Sequence, residues 1–191
     1  MTQELHRRPG TPSIVITVSD SCARGARQDV SGPAVAGALE TAGFETIGLV
    51  TVPDETGTIE EAIRQAAARA RLVVTTGGTG IAARDVTPEA TRAVCDRLLE
   101  GVAELMRAEG RKETPLAALG RGVCGTLGTA VVLNVPGSPR GAVTALLAAL
   151  QVLPHALELL AGRTEHGRTD EATAALHELE GHADKGKVER A

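Results

Sequence analysis

Short apolar runs alternate with longer segments of helical periodicity along most of this chain. Ser13 to Val18, Phe44 to Val50, Leu72 to Thr76 and Ala130 to Val135 are stretches of strand length, rich in β-branched residues. Near-continuous apolar runs of this kind belong to strands buried on both faces. Helical patterns lie between them. One opens at Ser31-Gly32-Pro33 and runs to about Thr41, where Gly43 can take the left-handed residue that ends a helix. Another starts at Thr58-Ile59-Glu60-Glu61, a third runs from Pro88 to about Arg107, and a fourth follows Ser138-Pro139 to about Gln151. A last one, from Pro154 to Leu160, stops before Gly162. Residues 110–124 are less regular, with one helical turn from Thr114 to Leu119, and Gly125 to Thr129 reads as a hairpin-like return. Strands alternating with helices predict an α/β fold with a mostly parallel sheet covered on both faces.

The pattern also divides the chain. Residues 1–12 are polar and read as a flexible arm, 13–162 carry the periodic pattern, and 163–191 form a charged, partly disordered tail. His166, His177 and His182 in that tail do not share one helical face, so they read as solvated surface rather than a metal site. Hydrophobic residues make up 42% of the 191 positions, yet Phe44 is the only aromatic one. The core must therefore be built from Val, Leu, Ile and Ala, and base stacking on aromatic platforms is excluded. A net charge of −4 removes a broad basic face for nucleic acid. Cys22, Cys95 and Cys124 are odd in number and widely spaced, which suits free thiols in a reducing cytoplasm. No apolar run reaches the ~18 residues of a membrane span, so the expectation is a soluble, cytoplasmic protein.

Candidate chemistry concentrates where the strands end. The third strand breaks into Gly77-Gly78-Thr79-Gly80, followed by Arg84-Asp85 and then by Thr87-Pro88-Glu89, which reads as a helix cap, a first-turn proline and a first-turn acid. A strand, a glycine loop and a helix start together make an anion site, because bare backbone N–H groups can close on phosphate. Three further exits are polar: Ser19-Asp20, Asp54-Glu55 and Pro136 to Arg140. Parallel strands bring such exits to one edge, where ligands of α/β sheets bind. Asp20, Asp54 and Asp85 beside a phosphate loop suggest a shared Mg²⁺, with Asp54 equally readable as a helix cap. The loop lacks the Gly-Lys-Ser/Thr of a Walker A motif, and Ala83 stands where a dinucleotide fingerprint needs glycine.

The run TTGGTG followed by RDVTPEAT, with TVSD near the start and NVPGSPRG later, resembles the molybdopterin-binding MogA/MoaB family, whose eukaryotic relatives include the G domain of gephyrin. The likeness spans about Ser13 to Gly162. It implies a three-layer αβα sandwich, typically trimeric and sometimes hexameric, that adenylylates molybdopterin: the pterin's terminal phosphate attacks the α-phosphate of ATP and pyrophosphate leaves. By matching position it implies catalytic and Mg²⁺-binding roles for Asp54 and Asp85, and a phosphate cradle of Gly77, Gly78, Thr79 and Gly80. Ser19, Asp20, Asp29 and Ser31 match the first loop of the pterin and nucleotide pocket, and Ser138, Pro139 and Arg140 its PGSP-K/R segment. Arg84 could add charge or make a structural pair, and Thr87 is retained with Asp85. Gly120 replaces a serine that many relatives carry before Arg121. Contact with a molybdenum-insertion protein is a further implication. The competing readings are a catalytically weak pterin-binding carrier and a nucleotide pyrophosphatase of related fold.

Overall fold

A computed structural model describes residues 10–162. The charged tail 163–191, with its three histidines, lies outside the described residues, as does the arm up to residue 9. Thr11 and Pro12, expected in that arm, instead begin the first strand, β1 (Thr11–Val18). At Pro12 the strand faces only β2 (Phe44–Val52), and its second ladder starts at Ser13. A proline at a strand start leaves no central donor missing.

Six strands pair in the order β2-β1-β3-β6-β5-β4, where β3 is Leu72–Thr76, β4 Arg97–Leu98, β5 Cys124–Leu127 and β6 Ala130–Val135. The first four in that order are parallel, while β5 runs antiparallel to β6 and β4 antiparallel to β5. The sheet is therefore mixed and mostly parallel, as the alternating pattern requires. Side chains from alternate positions separate two cores. Val15, Leu72, Val74, Leu133 and Val135 pack on one face, against α2 (Ser31–Thr41), α5 (Glu100–Glu113), α6 (Pro139–Leu150) and α7 (Leu153–Leu160). Ile14, Ile16, Val73 and Val132 pack on the other, against α3 (Thr56–Ala67) and α4 (Thr87–Val94). The result is the three-layer αβα sandwich. Among the described residues no single helix is long and apolar enough to cross a membrane.

The helix expected from Pro88 to Arg107 is two helices with a strand between. Cys95 turns to an extended conformation (φ −77°, ψ 138°), Asp96 N–H donates to the Thr126 carbonyl at 2.7 Å, and the Asp96 carboxylate accepts from Gly128 N–H at 2.7 Å. These bonds to the β5–β6 hairpin create β4, and they outweigh a local sequence that would continue the helix. Burial pushes the neighbouring thiols up, Cys95 to about 11 and Cys124 to about 12, so neither is a thiolate at neutral pH.

Asn134 on β6 joins three elements. Its amide donates to the Thr75 hydroxyl on β3 (2.9 Å) and the Thr91 hydroxyl on α4 (2.8 Å), and its side-chain oxygen accepts from Val123 N–H at 3.3 Å. All of these partners are buried. Asn134→Leu would strand two hydroxyls and an amide, and is expected to cost about 2–4 kcal/mol of stability. A urea midpoint within experimental scatter of the parent would contradict that account.

Candidate active site

The carboxyl ends of β1, β2, β3 and β6 share one edge of the sheet, and the chain order reverses between β1 and β3. At that reversal lies a cleft of about 260 Å³, where α/β sheets bind ligands. Short helix α1 (Asp20–Ala23) opens directly after β1, with the Ser19 hydroxyl accepting from Cys22 N–H at 3.3 Å. On one wall, Asp29 Oδ2 accepts from the Thr17 hydroxyl (2.7 Å), while its Oδ1 accepts from Gly32 N–H (3.0 Å) and the Ser31 hydroxyl (3.4 Å). The opposite wall is the glycine loop. Gly77 has φ +104° and lies so close to β1 that an added Cβ would sit 2.3 Å from the Val18 carbonyl oxygen. Gly78 has φ +60° and faces Asp54.

The two candidate catalytic carboxylates both reach this cleft, and each has one oxygen already engaged. Asp54 Oδ2 accepts from Asp20 N–H at 2.8 Å, and Asp85 Oδ2 accepts from Ala82 N–H at 2.8 Å. In each case Oδ1 carries no hydrogen bond among the described residues. Asp54 caps no helix, since the residue before α3 is Glu55. Arg84 also lines the cleft and forms no ion pair among the described residues, so it can contribute charge there.

Other expected site residues stand elsewhere. Asp20 stands beside the cleft: its Oδ1 accepts from Asp54 N–H at 3.2 Å, so it braces Asp54. Among the described residues no three His, Cys, Asp or Glu side chains converge on a point. Thr87 does not cap α4. It is fully buried within the first turn, its hydroxyl donating to the Gly77 carbonyl at 3.0 Å and its N–H to the Gly78 carbonyl at 3.1 Å. Thr79, Gly80 and Ser138 face a second cavity of about 480 Å³, lined mainly by apolar side chains such as Ile81, Met106, Leu116 and Leu119. Pro139 lines the first cleft, but Arg140 turns outward to Glu113, with Nε to Oε2 at 2.8 Å. Gly120 closes the 3₁₀ turn Pro115–Leu119 and also borders the second cavity. The glycine loop is thus a partition, with Gly77 and Gly78 on one side and Thr79 and Gly80 on the other.

Sequence reasoning gave Arg27 and Gln28 no role, yet both line the first cleft on the loop before α2. It also gave Arg121 no defined task. Arg121 N–H donates to the Thr79 carbonyl at 3.0 Å and its Nε to the Gly80 carbonyl at 2.6 Å, while its other guanidinium nitrogens reach the Asp85 carbonyl and the Glu89 carboxylate. Burial alone would push the Glu89 carboxyl up, but the hydrogen bond and charge of Arg121 outweigh it and hold the group below its ordinary value.

Residues 14–155 match the family described as "Probable molybdopterin binding domain". The chain belongs to that family. Among its relatives, this molybdopterin-binding domain is 36% identical over 152 residues to a molybdopterin adenylyltransferase of Helicobacter pylori, covering 78% of this chain and 86% of that protein. It is also 36% identical to the molybdenum cofactor synthesis protein cinnamon of Drosophila melanogaster, over 91% of this chain but only 29% of that longer protein. Among solved structures, the domain resembles the molybdopterin biosynthesis enzyme MoaB of Thermus thermophilus, with a TM-score of 0.75 and 48% identity over 80% of this chain and 97% of that one.

Proposed function

We propose that the chain is a cytoplasmic molybdopterin adenylyltransferase of molybdenum cofactor biosynthesis, joining molybdopterin to the adenylyl group of ATP with release of pyrophosphate. The observation that carries this reading is the placement of Asp54 and Asp85 in one cleft with the Gly77-Gly78 turn. The H. pylori relative of similar length, named for that activity, adds support. The nucleophile is an anionic phosphate and needs no strong base, so the demand on the protein is to hold two polyanions together in line. Bare backbone at Gly77 and Gly78 lets phosphate approach closely, and Arg84 and Arg27 offset its charge. The second cavity, apolar and just past the loop, has the chemistry to take a flat heteroaromatic ring while phosphates lie on the polar side.

Asp54 and Asp85 fit Mg²⁺ because each offers a single uncommitted oxygen, and Mg²⁺ takes one or two carboxylates with phosphate oxygens and water. Bound there, the ion would neutralise triphosphate charge. Ser19, Asp29 and Ser31 shape the opposite wall and orient whatever enters it. The same reading includes a homotrimer or hexamer and contact with a molybdenum-insertion protein, the first checked by mass in solution.

Incubating the chain with molybdopterin, Mg²⁺ and α-labelled ATP is expected to give labelled pterin and pyrophosphate. Tight pterin binding with no label transferred would replace this reading with a carrier. Hydrolysis of ADP-ribose in the absence of pterin would replace it with a nucleotide pyrophosphatase.

A further inference from the structure

The segment between Gly80 and Asp85 is a short turn that links the glycine loop after β3 to the start of α4. Ile81, Ala82, Ala83 and Arg84 are all exposed, Ile81 at 71%. Nothing apolar therefore holds this turn in shape. Its internal ties are the Asp85 N–H to the Ala82 carbonyl (2.9 Å) and the Ala82 N–H to Asp85 Oδ2 (2.8 Å). Both depend on Asp85 itself, the residue whose other oxygen is offered to the cleft.

The two ends of the turn are fastened from outside by one residue. The guanidinium of Arg121, on the segment leading into β5, meets the Gly80 carbonyl at one end and the Asp85 carbonyl at the other, while its main-chain N–H separately holds the Thr79 carbonyl. It also meets Glu89 in the first turn of α4. Arg121 is not among the residues lining either cavity. A guanidinium suits the task, since its planar fork of five donors can satisfy several acceptors at fixed angles. An ammonium would serve fewer of them, each through a single flexible point.

Resting on the adenylyl-transfer reading above, we propose that Arg121 is a positioning residue of the reaction: by pinning both ends of the 80–85 turn it holds the Asp85 carboxylate at the cleft. Released, the turn samples other shapes, and Asp85 reaches its working place only part of the time. Displacement of a reacting group by about 1 Å can cost on the order of 100-fold in rate.

The test compares Arg121→Ala and Arg121→Lys with the parent chain. For Arg121→Ala, kcat should fall roughly 10- to 100-fold. The Mg²⁺ concentration for half-maximal rate should rise, and KM for molybdopterin should change least. Arg121→Lys should recover part of the rate, and added guanidinium ion should restore part of it to Arg121→Ala, which a merely structural loss would not allow. Amide hydrogen exchange reads the strap without any turnover. Ala82 and Asp85 should exchange at least about tenfold faster in Arg121→Ala, while β3 and β6 keep their protection. Parental exchange at Ala82 and Asp85, parental kcat, or protection lost equally across β3 and β6 would each overturn the proposal. A parent chain that transfers no adenylyl group would instead sink the functional reading, with the exchange result still deciding whether Arg121 holds the loop.

Discussion

Asp85→Asn is expected to lower adenylyl transfer by a factor of roughly 10²–10³ or more while leaving the fold intact. The substitution is close to isosteric. The amide oxygen of asparagine can still accept from Ala82 N–H, so the bond that shapes the turn survives. What disappears is the negative charge, and with it the oxygen that a divalent cation would take. The Asp54 carboxylate would then be alone in holding the metal, with one oxygen already committed to Asp20 N–H. Pyrophosphate release under saturating Mg²⁺ measures the loss, and thermal unfolding of the same sample checks the fold. Turnover near that of the parent would mean that Asp85 neither binds metal nor stabilises the reacting phosphates.

Gly77→Ala should act on folding as well as on activity, and is expected to cost about 3–5 kcal/mol or to prevent folding outright. Two penalties add. The backbone at φ +104° is open to glycine and strained for every residue with a side chain. The new methyl would also meet the Val18 carbonyl oxygen at 2.3 Å, and that atom belongs to β1 between two paired strands. A flexible side chain could move aside, but this backbone cannot without unpairing the ladder. Gly101→Ala provides the contrast. It lies in α5 with nothing within 4 Å of an added Cβ, and should be neutral or stabilising by up to about 1 kcal/mol. Urea unfolding of the two variants decides the matter, and a Gly77→Ala midpoint equal to that of Gly101→Ala would refute the packing argument.

Elements whose own residues determine them were legible in the sequence. The buried strands announced themselves as β-branched runs, and Gly43, with φ +88°, ends α2 as a left-handed residue should. The candidate site was legible where it depends on strand exits, since parallel pairing alone brings Asp54, Gly77 and Asp85 to one edge. Misreadings arose where a distant partner overrules local preference. Thr87 has the look of a cap, yet its hydroxyl is drawn down to the Gly77 carbonyl. Cys95-Asp96 could continue a helix, but the hairpin at Thr126 to Gly128 captures it. Asp20 reads as a strand-exit carboxylate, and its bond to Asp54 N–H is visible only in the structure. The Arg121 guanidinium meets Gly80, Asp85 and Glu89, and the Asn134 amide nitrogen meets Thr75 and Thr91, from 32 to 59 positions away, a separation that no window of local sequence reports.

The near-absence of aromatic side chains has an optical consequence. With no tryptophan or tyrosine and one phenylalanine, the protein is almost transparent in the near ultraviolet, where purine and pterin rings absorb and pterins fluoresce. No indole or phenol can quench such a ring or transfer excitation to it. Any change in a bound ring's spectrum would therefore report its own surroundings, so a purine or pterin ligand can act as its own probe of binding.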